Sequence, residues 1–110
     1  MNEYLEIFKA LSARTRFRIV MMLQVKPLCV CEIREIIGSS FSTISNHLRI
    51  LAQAGVVNYE KDERYVNFTL ARENPKVAAI LDIISSVDDK QIKSDMEKAK
   101  HVSRFDKTVC

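Results

Sequence analysis

The stretch SSFSTISNHLRILAQAG at residues 39–55 decides how this chain is read. Ile44, Leu48 and Leu51 fall at i, i+4 and i+7, so a helix here has one apolar face. Thr43, Ser45, Asn46, His47 and Arg49 crowd its other faces with short hydrogen-bonding or cationic groups, and Gly55 stands where a helix C′ residue is expected. Such a helix buries one side and offers hydroxyl, amide, imidazole and guanidinium groups on the other, which suits a DNA major groove. An ordinary amphipathic surface helix has the same periodicity. Its outer face would more often carry Glu and Lys, and the stretch contains neither.

Upstream, Ile33, Ile36 and Ile37 mark a short helix at about 30–36, Gly38 breaks the chain, and Ser40 can cap the helix that follows. Two short helices joined by a tight glycine-containing turn form a helix-turn-helix unit. Before it, Tyr4, Leu5, Phe8 and Leu11 give a short first helix. Ser12 is expected to cap a second, at about 13–24, whose Phe17, Ile19, Val20, Met21, Met22 and Leu23 are apolar on most sides and belong in the core. Lys26-Pro27 ends it.

Downstream, Val56–Glu60 and Tyr65–Leu70 read as strands. Val66, Phe68 and Leu70 alternate with Tyr65, Asn67 and Thr69, and the tip at 61–64 is fully charged. A hairpin after a helix-turn-helix is a wing. Asn74-Pro75 opens a last helix with an apolar stripe of Val77, Ile80, Leu81 and Ile84, widened by Ile83 and Val87. A stripe this wide predicts pairing with a second copy of the chain, with the first helix sharing in it. Its alternative use is to fold back on its own core. From Asp88 the chain is charged and is expected to continue as solvated helix to about 101, then fray. The expected fold is mainly α with a small β-hairpin: a winged-helix DNA-binding and dimerisation domain at 1–101 and a flexible tail at 102–110.

The totals fit one small globular domain: 110 residues, 47% hydrophobic, net charge +3. That balance is compatible with a nucleic-acid partner without being diagnostic. The longest purely apolar run is Ile19 to Leu23, which predicts neither membrane span nor secretory signal and a cytoplasmic protein. Three cysteines, Cys29, Cys31 and Cys110, cannot all pair within one chain, so reduced metal-binding or redox thiols fit better than a disulfide scaffold. There is no βαβ pattern and no Gly-rich phosphate loop, so no enzyme is expected.

Several of these segments, in order and in register, resemble the ArsR/SmtB family of repressors. Phe8 to Ile19, with Ala10-Leu11-Ser12 and Thr15-Arg16, resembles the family's opening. Ser40 to Leu48 is similar to the start of its recognition helix. Leu51-Ala52-Gln53-Ala54-Gly55-Val56-Val57 is similar to its exit into the wing, and Leu28-Cys29-Val30-Cys31-Glu32-Ile33 resembles the box of its arsenic-responsive members. The resemblance implies a homodimeric winged-helix repressor that leaves an inverted-repeat operator when an inducer binds. By the same resemblance, base contacts come from Ser42, Thr43, Ser45, Asn46, His47 and Arg49. Ser40 and the N–H groups beside it hold a phosphate, and Lys61 and Arg64 on the wing, with Arg14 or Arg16, neutralise others. Two departures stand out. Asp62-Glu63 occupies the wing tip where the family usually has glycine, and Arg34 occupies the place of a third local cysteine.

Cys29 and Cys31 lie where a helix begins, where free N–H groups and the dipole favour thiolates; Arg34 should help and Glu32 oppose. Soft thiolates prefer thiophilic ions, and As(III) or Sb(III) suits two or three of them. Cys110 is a candidate third ligand. Residues two apart on a regular helix point roughly 200° apart, so both sulfurs meet one ion only if the helix start is non-helical or opened. The expected route to the reading helix is then the Gly38 turn. A thiol-based redox or reactive-sulfur sensor of the same fold is the alternative, and a winged-helix protein-interaction module a further one. A zinc site on the last helix is not expected, because Asp82 has no histidine near it and His101 stands alone.

Overall fold

The computed structural model describes residues 3–103. Helices α1 (Glu3–Leu11) and α2 (Arg14–Leu23) lead into a two-residue strand β1 (Leu28–Cys29). Then come α3 (Val30–Ile37) and α4 (Phe41–Gln53), the hairpin β2 (Val57–Asp62) and β3 (Tyr65–Leu70), and α5 (Pro75–Ile84) and α6 (Lys90–His101). The expected winged helix-turn-helix is present. α2 is the central element, with Ile19, Val20, Met21, Met22 and Leu23 all buried. Its start differs from expectation: Ala13, not Ser12, is the N-cap, and the Ser12 hydroxyl donates to the Lys9 carbonyl at 2.8 Å, closing α1 instead.

The turn between α3 and α4 needs a residue that accepts positive φ. Gly38 supplies it at φ 88°, and its N–H donates to the Arg34 carbonyl at 2.8 Å. Ser40 then caps α4 by accepting the Thr43 N–H at 3.2 Å. Ile44, Leu48 and Leu51 are 0% exposed, which fixes the face that α4 turns inward.

The hairpin is longer than the sequence suggests. The ladder runs from Val57↔Leu70 to Asp62↔Tyr65, so only Glu63 and Arg64 form the tip. The tight turn is possible because Glu63 takes φ 57°, a left-handed conformation in a residue with a Cβ. Such a backbone costs roughly 1–2 kcal/mol. Glu63→Gly is therefore expected to stabilise the chain by about 0.5–1 kcal/mol once the extra freedom of the unfolded glycine is counted. A urea titration checks this, and an unchanged or lowered midpoint would contradict it.

Two elements escaped the sequence reading. β1 pairs antiparallel with β3, making a three-stranded sheet of order β1-β3-β2. The last helix is two helices: α5 ends at Ile84 with Ser85 as its C-cap, and Asp89 caps α6 by accepting the Ile92 N–H at 3.0 Å. α6 is not a solvated extension. It packs on α2 and α3 and buries Ile92, Asp95 and Ala99. Asp95 is 0% exposed and accepts Arg18 Nε at 2.7 Å, Arg18 Nη2 at 3.0 Å and Gln91 Nε2 at 3.0 Å.

α5 folds Val77, Ile80 and Leu81 onto the core, yet Ile83 remains 72% exposed and Val87 is exposed as well. Tyr4, Leu5 and Phe8 of α1, which packs beside α5, are also exposed. Lys76 joins the two helices through Glu3 at 2.5 Å and lies 5.7 Å from the Tyr4 ring centroid.

Candidate nucleic-acid interface and cysteine site

The outer face of α4 is built by subtraction. With Ile44, Leu48 and Leu51 turned inward, Ser42, Thr43, Asn46 and Arg49 are exposed and Ser45 is half-buried at the edge of the face. Arg49 Nη2 donates to Asn46 Oδ1 one turn back, so the guanidinium is held along the surface. Ser40 Oγ donates to Thr43 Oγ1 at 2.8 Å as well as accepting the Thr43 N–H. Its hydroxyl is thus spent on the cap, and the anion-binding capacity of this helix start lies in its free N–H groups.

His47 departs from its expected place among the exposed base-reading groups. Its ring is half-buried, and Nδ1 accepts a hydrogen bond from Arg16 Nη1 at 3.3 Å. Arg16 Nε donates in turn to the Ala10 carbonyl at 2.7 Å, so one guanidinium ties α1 to α4. Burial, and then the neighbouring Arg16 charge, pushes the His47 pKa below its ordinary value of 6.5. The folded chain therefore holds His47 neutral, while the unfolded chain takes up the proton first as pH falls. The contribution to stability is complete above the unfolded pKa and is lost as pH falls through the folded one. Between about pH 7.5 and about pH 5.5 the wild-type unfolding free energy should fall more than that of His47→Gln, which has no proton to bind. Parallel pH profiles for the two proteins would contradict this.

Arg14 and Arg16, the expected auxiliary phosphate ligands, are both engaged within the chain: Arg14 lies 3.3 Å from Asp89, and Arg16 is tied as described. Lys61 and Arg64 do stand exposed on the wing. The Arg64 guanidinium lies 5.8 Å from the Tyr65 ring centroid. Asp62 and Glu63, also exposed, offset their charge at the tip.

Between α4 and the wing runs an apolar groove of about 570 Å³, lined by Val30, Phe41, Leu48, Tyr59, Val66 and Phe68. Neither Phe41 nor Tyr59 was marked by the sequence reading. Their signal was the presence of exposed aromatics on segments whose other outward residues are polar.

Cys29 and Cys31 flank Val30 and are 2% and 3% exposed. Cys29 is the N-cap of α3 with extended backbone (φ −95°, ψ 170°), and Cys31 lies inside the first turn. The helix start is thus non-helical at Cys29, the condition for two sulfurs this close in sequence to face one ion. The Cys29 N–H donates to Glu32 Oε1 at 2.9 Å, and Glu32 is itself buried. The expected thiolate is not favoured here. Burial pushes the Cys29 thiol up, the Glu32 charge adds to this, and the helix-start N–H groups of Glu32 and Cys31 oppose without prevailing. Cys29 is a free thiol. Cys110, the candidate third ligand, also lies outside the described residues. Among those described, no three His, Cys, Asp or Glu side chains are grouped to hold a metal ion. The site's own donors are sulfur, a set suited to soft ions.

Comparison with known proteins agrees with this architecture. The arsR family of bacterial regulatory proteins matches over residues 14–59. A cadmium resistance transcriptional regulatory protein CadC homolog of Staphylococcus aureus is 42% identical over 72 residues, covering 64% of this chain and 60% of that protein. The arsenical resistance operon repressor of Escherichia coli K12 is 33% identical over 76 residues, covering 68% and 65%. The chain thus spans less than two thirds of the length of these relatives. Among solved structures, the transcriptional regulator HlyU of Vibrio vulnificus superimposes with a TM-score of 0.62 at 30% identity, covering 74% of this chain and 83% of that one. Helix-turn-helix, wing and matching sequence together place this chain in the ArsR family of bacterial regulatory proteins.

Proposed function

We propose that this chain is a DNA-binding transcriptional repressor that acts as a homodimer in the cytoplasm and leaves its operator when a thiophilic metalloid, As(III) or Sb(III), binds at Cys29 and Cys31. The observation that carries the reading is the junction of two features. A sulfur pair sits at the start of α3, and α3 leads through a single glycine turn into a helix whose outer face is Ser42, Thr43, Asn46 and Arg49. The relatives whose names mention cadmium and arsenic resistance support a soft-ion inducer for this chain. No described helix is long and apolar enough to cross a membrane, in keeping with a DNA partner.

Exposed Tyr4, Leu5 and Phe8 on α1, Ile83 on α5 and Val87 just after it support the homodimer, since side chains of this size form an apolar surface that a partner copy would cover. A two-fold dimer calls for an inverted-repeat operator with half-sites about 10 bp apart, or slightly more. The test is anisotropy of the reduced chain on duplex from upstream of its own gene and on a scrambled duplex, with sedimentation to give the oligomeric state. Salt-sensitive preference for the upstream duplex by a dimer is expected. Absence of DNA binding would favour the protein-interaction module.

The two buried cysteines one residue apart favour a second reading, a repressor that responds to oxidation rather than to an ion. Diamide in place of arsenite separates the two: release by diamide alone assigns the redox role.

A further inference from the structure

We infer that the Cys29–Val30 segment anchors the wing, so that the cysteine site acts on DNA through the β-hairpin rather than through the Gly38 turn. The regulatory half of this inference rests on the ligand reading above, and the positioning half does not. β1 is bonded to β3 with Leu28 opposite Phe68 and Cys29 opposite Asn67. Across β3 the same rows continue into β2, Phe68 to Tyr59 and Asn67 to Glu60. Cys29, Asn67 and Glu60 therefore form one row across the sheet, and Lys61 follows Glu60 directly on the way to the tip. Neighbouring strands lie about 5 Å apart, so Cys29 is two strand spacings from the strand that carries Lys61. Gly38 lies a whole helix away, beyond Ile37 at the far end of α3.

Side-chain packing points the same way. Val30 is half-buried and lines the groove together with Val66 and Phe68 of β3 and Phe41 and Leu48 of α4. Phe68, opposite Leu28, stacks in a tilted pair with Tyr59 at 6.0 Å. The residue between the two cysteines is thus wedged where wing and reading helix meet. An ion held by both sulfurs pulls on the Cys29 backbone, which is paired with β3 opposite Asn67. That pull withdraws β1 from the sheet, draws Val30 from the groove, and frees the hairpin that presents Lys61 and Arg64.

Val30→Ala and Val30→Ile test the anchor without any ligand. Val30→Ala is expected to speed amide exchange over Tyr65–Leu70 and to weaken binding to the upstream duplex about 3- to 10-fold. It should also lower the slope of log K against log salt by about 1 for each phosphate that the wing no longer neutralises. General destabilisation would leave that slope unchanged. Val30→Ile keeps the wedge and should retain slope and protection. An unchanged slope and unchanged wing exchange in Val30→Ala would overturn the anchor. The regulatory half is read by adding arsenite to the reduced wild-type chain, where exchange should rise at Leu28–Ile33 and Tyr65–Leu70 together. Arsenite that releases DNA with changes confined to α3 and α4 would overturn the wing route. Arsenite that does not bind would overturn the ligand reading and the regulatory half, while the Val30 variants still decide the anchor.

Discussion

Asp95→Ala lowers the unfolding free energy by about 3–5 kcal/mol, the usual result of stripping one partner from a buried ion pair. The carboxylate is fully buried and accepts three hydrogen bonds, two of them from Arg18. Arg18, at 17% side-chain exposure, regains only part of its hydration when the carboxylate is gone, and its guanidinium is left against the core of α2. For a domain of this size, 3 kcal/mol corresponds to a drop in Tm of roughly 12–24 °C. Because the pair fastens α6 to α2, amide exchange should rise first over Lys90–His101 and then over α3, on which α6 also packs. Replacing both partners, Arg18→Met with Asp95→Leu, should recover most of the loss, since packed apolar groups of similar volume substitute for a buried pair at little cost. A melting temperature in Asp95→Ala within a few degrees of wild type would show that α6 is held by Ile92 and Ala99 alone.

Arg49→Ala is expected to cost about 1–3 kcal/mol of affinity for the upstream duplex, roughly 5- to 150-fold, with fold stability unchanged. Arg49 is exposed, and its side-chain hydrogen bond to Asn46 lies on the same outer face, so its removal leaves no buried group among the described residues unsatisfied. That bond holds the fork in place before DNA arrives, which lowers the ordering cost of binding. A base contact and a phosphate contact separate on the scrambled duplex. If Arg49 reads a base, affinity for the scrambled sequence hardly changes. If it holds a phosphate, both duplexes weaken together and the salt slope falls by about 1. Unchanged affinity on both would place the DNA-reading surface elsewhere.

How far the sequence spoke for the fold depends on the kind of force involved. Segments with strong apolar periodicity and a local stop signal were legible: α4 from Ile44, Leu48 and Leu51, its limits from Ser40 and Gly55, and β3 from its alternation. α6 was misread because its stripe is narrow. Ile92, Asp95 and Ala99 are all buried, and a carboxylate in that stripe reads as solvent-facing until its partner, 77 positions away, is seen. β1 was missed because two residues carry no period at all, and their pairing is decided by β3. The candidate site divided the same way. Exposed polar groups of α4 were found from periodicity, but His47 was placed outward because its tie to Arg16 depends on how α2 meets α4. The cysteine pair was found by spacing. Its raised thiol follows from burial, which local sequence does not report.

The proposed function depends on Cys29 and Cys31 controlling the hold on DNA. The most direct measurement is anisotropy of the reduced full chain on the upstream duplex during an arsenite titration, for wild type and for Cys29→Ser/Cys31→Ser. A coupling of the usual size predicts that arsenite weakens wild-type binding about 10- to 100-fold, while the double variant binds as tightly with arsenite as without it. Wild-type protein that grips the duplex through the whole titration, or a double variant released as readily as wild type, would contradict it.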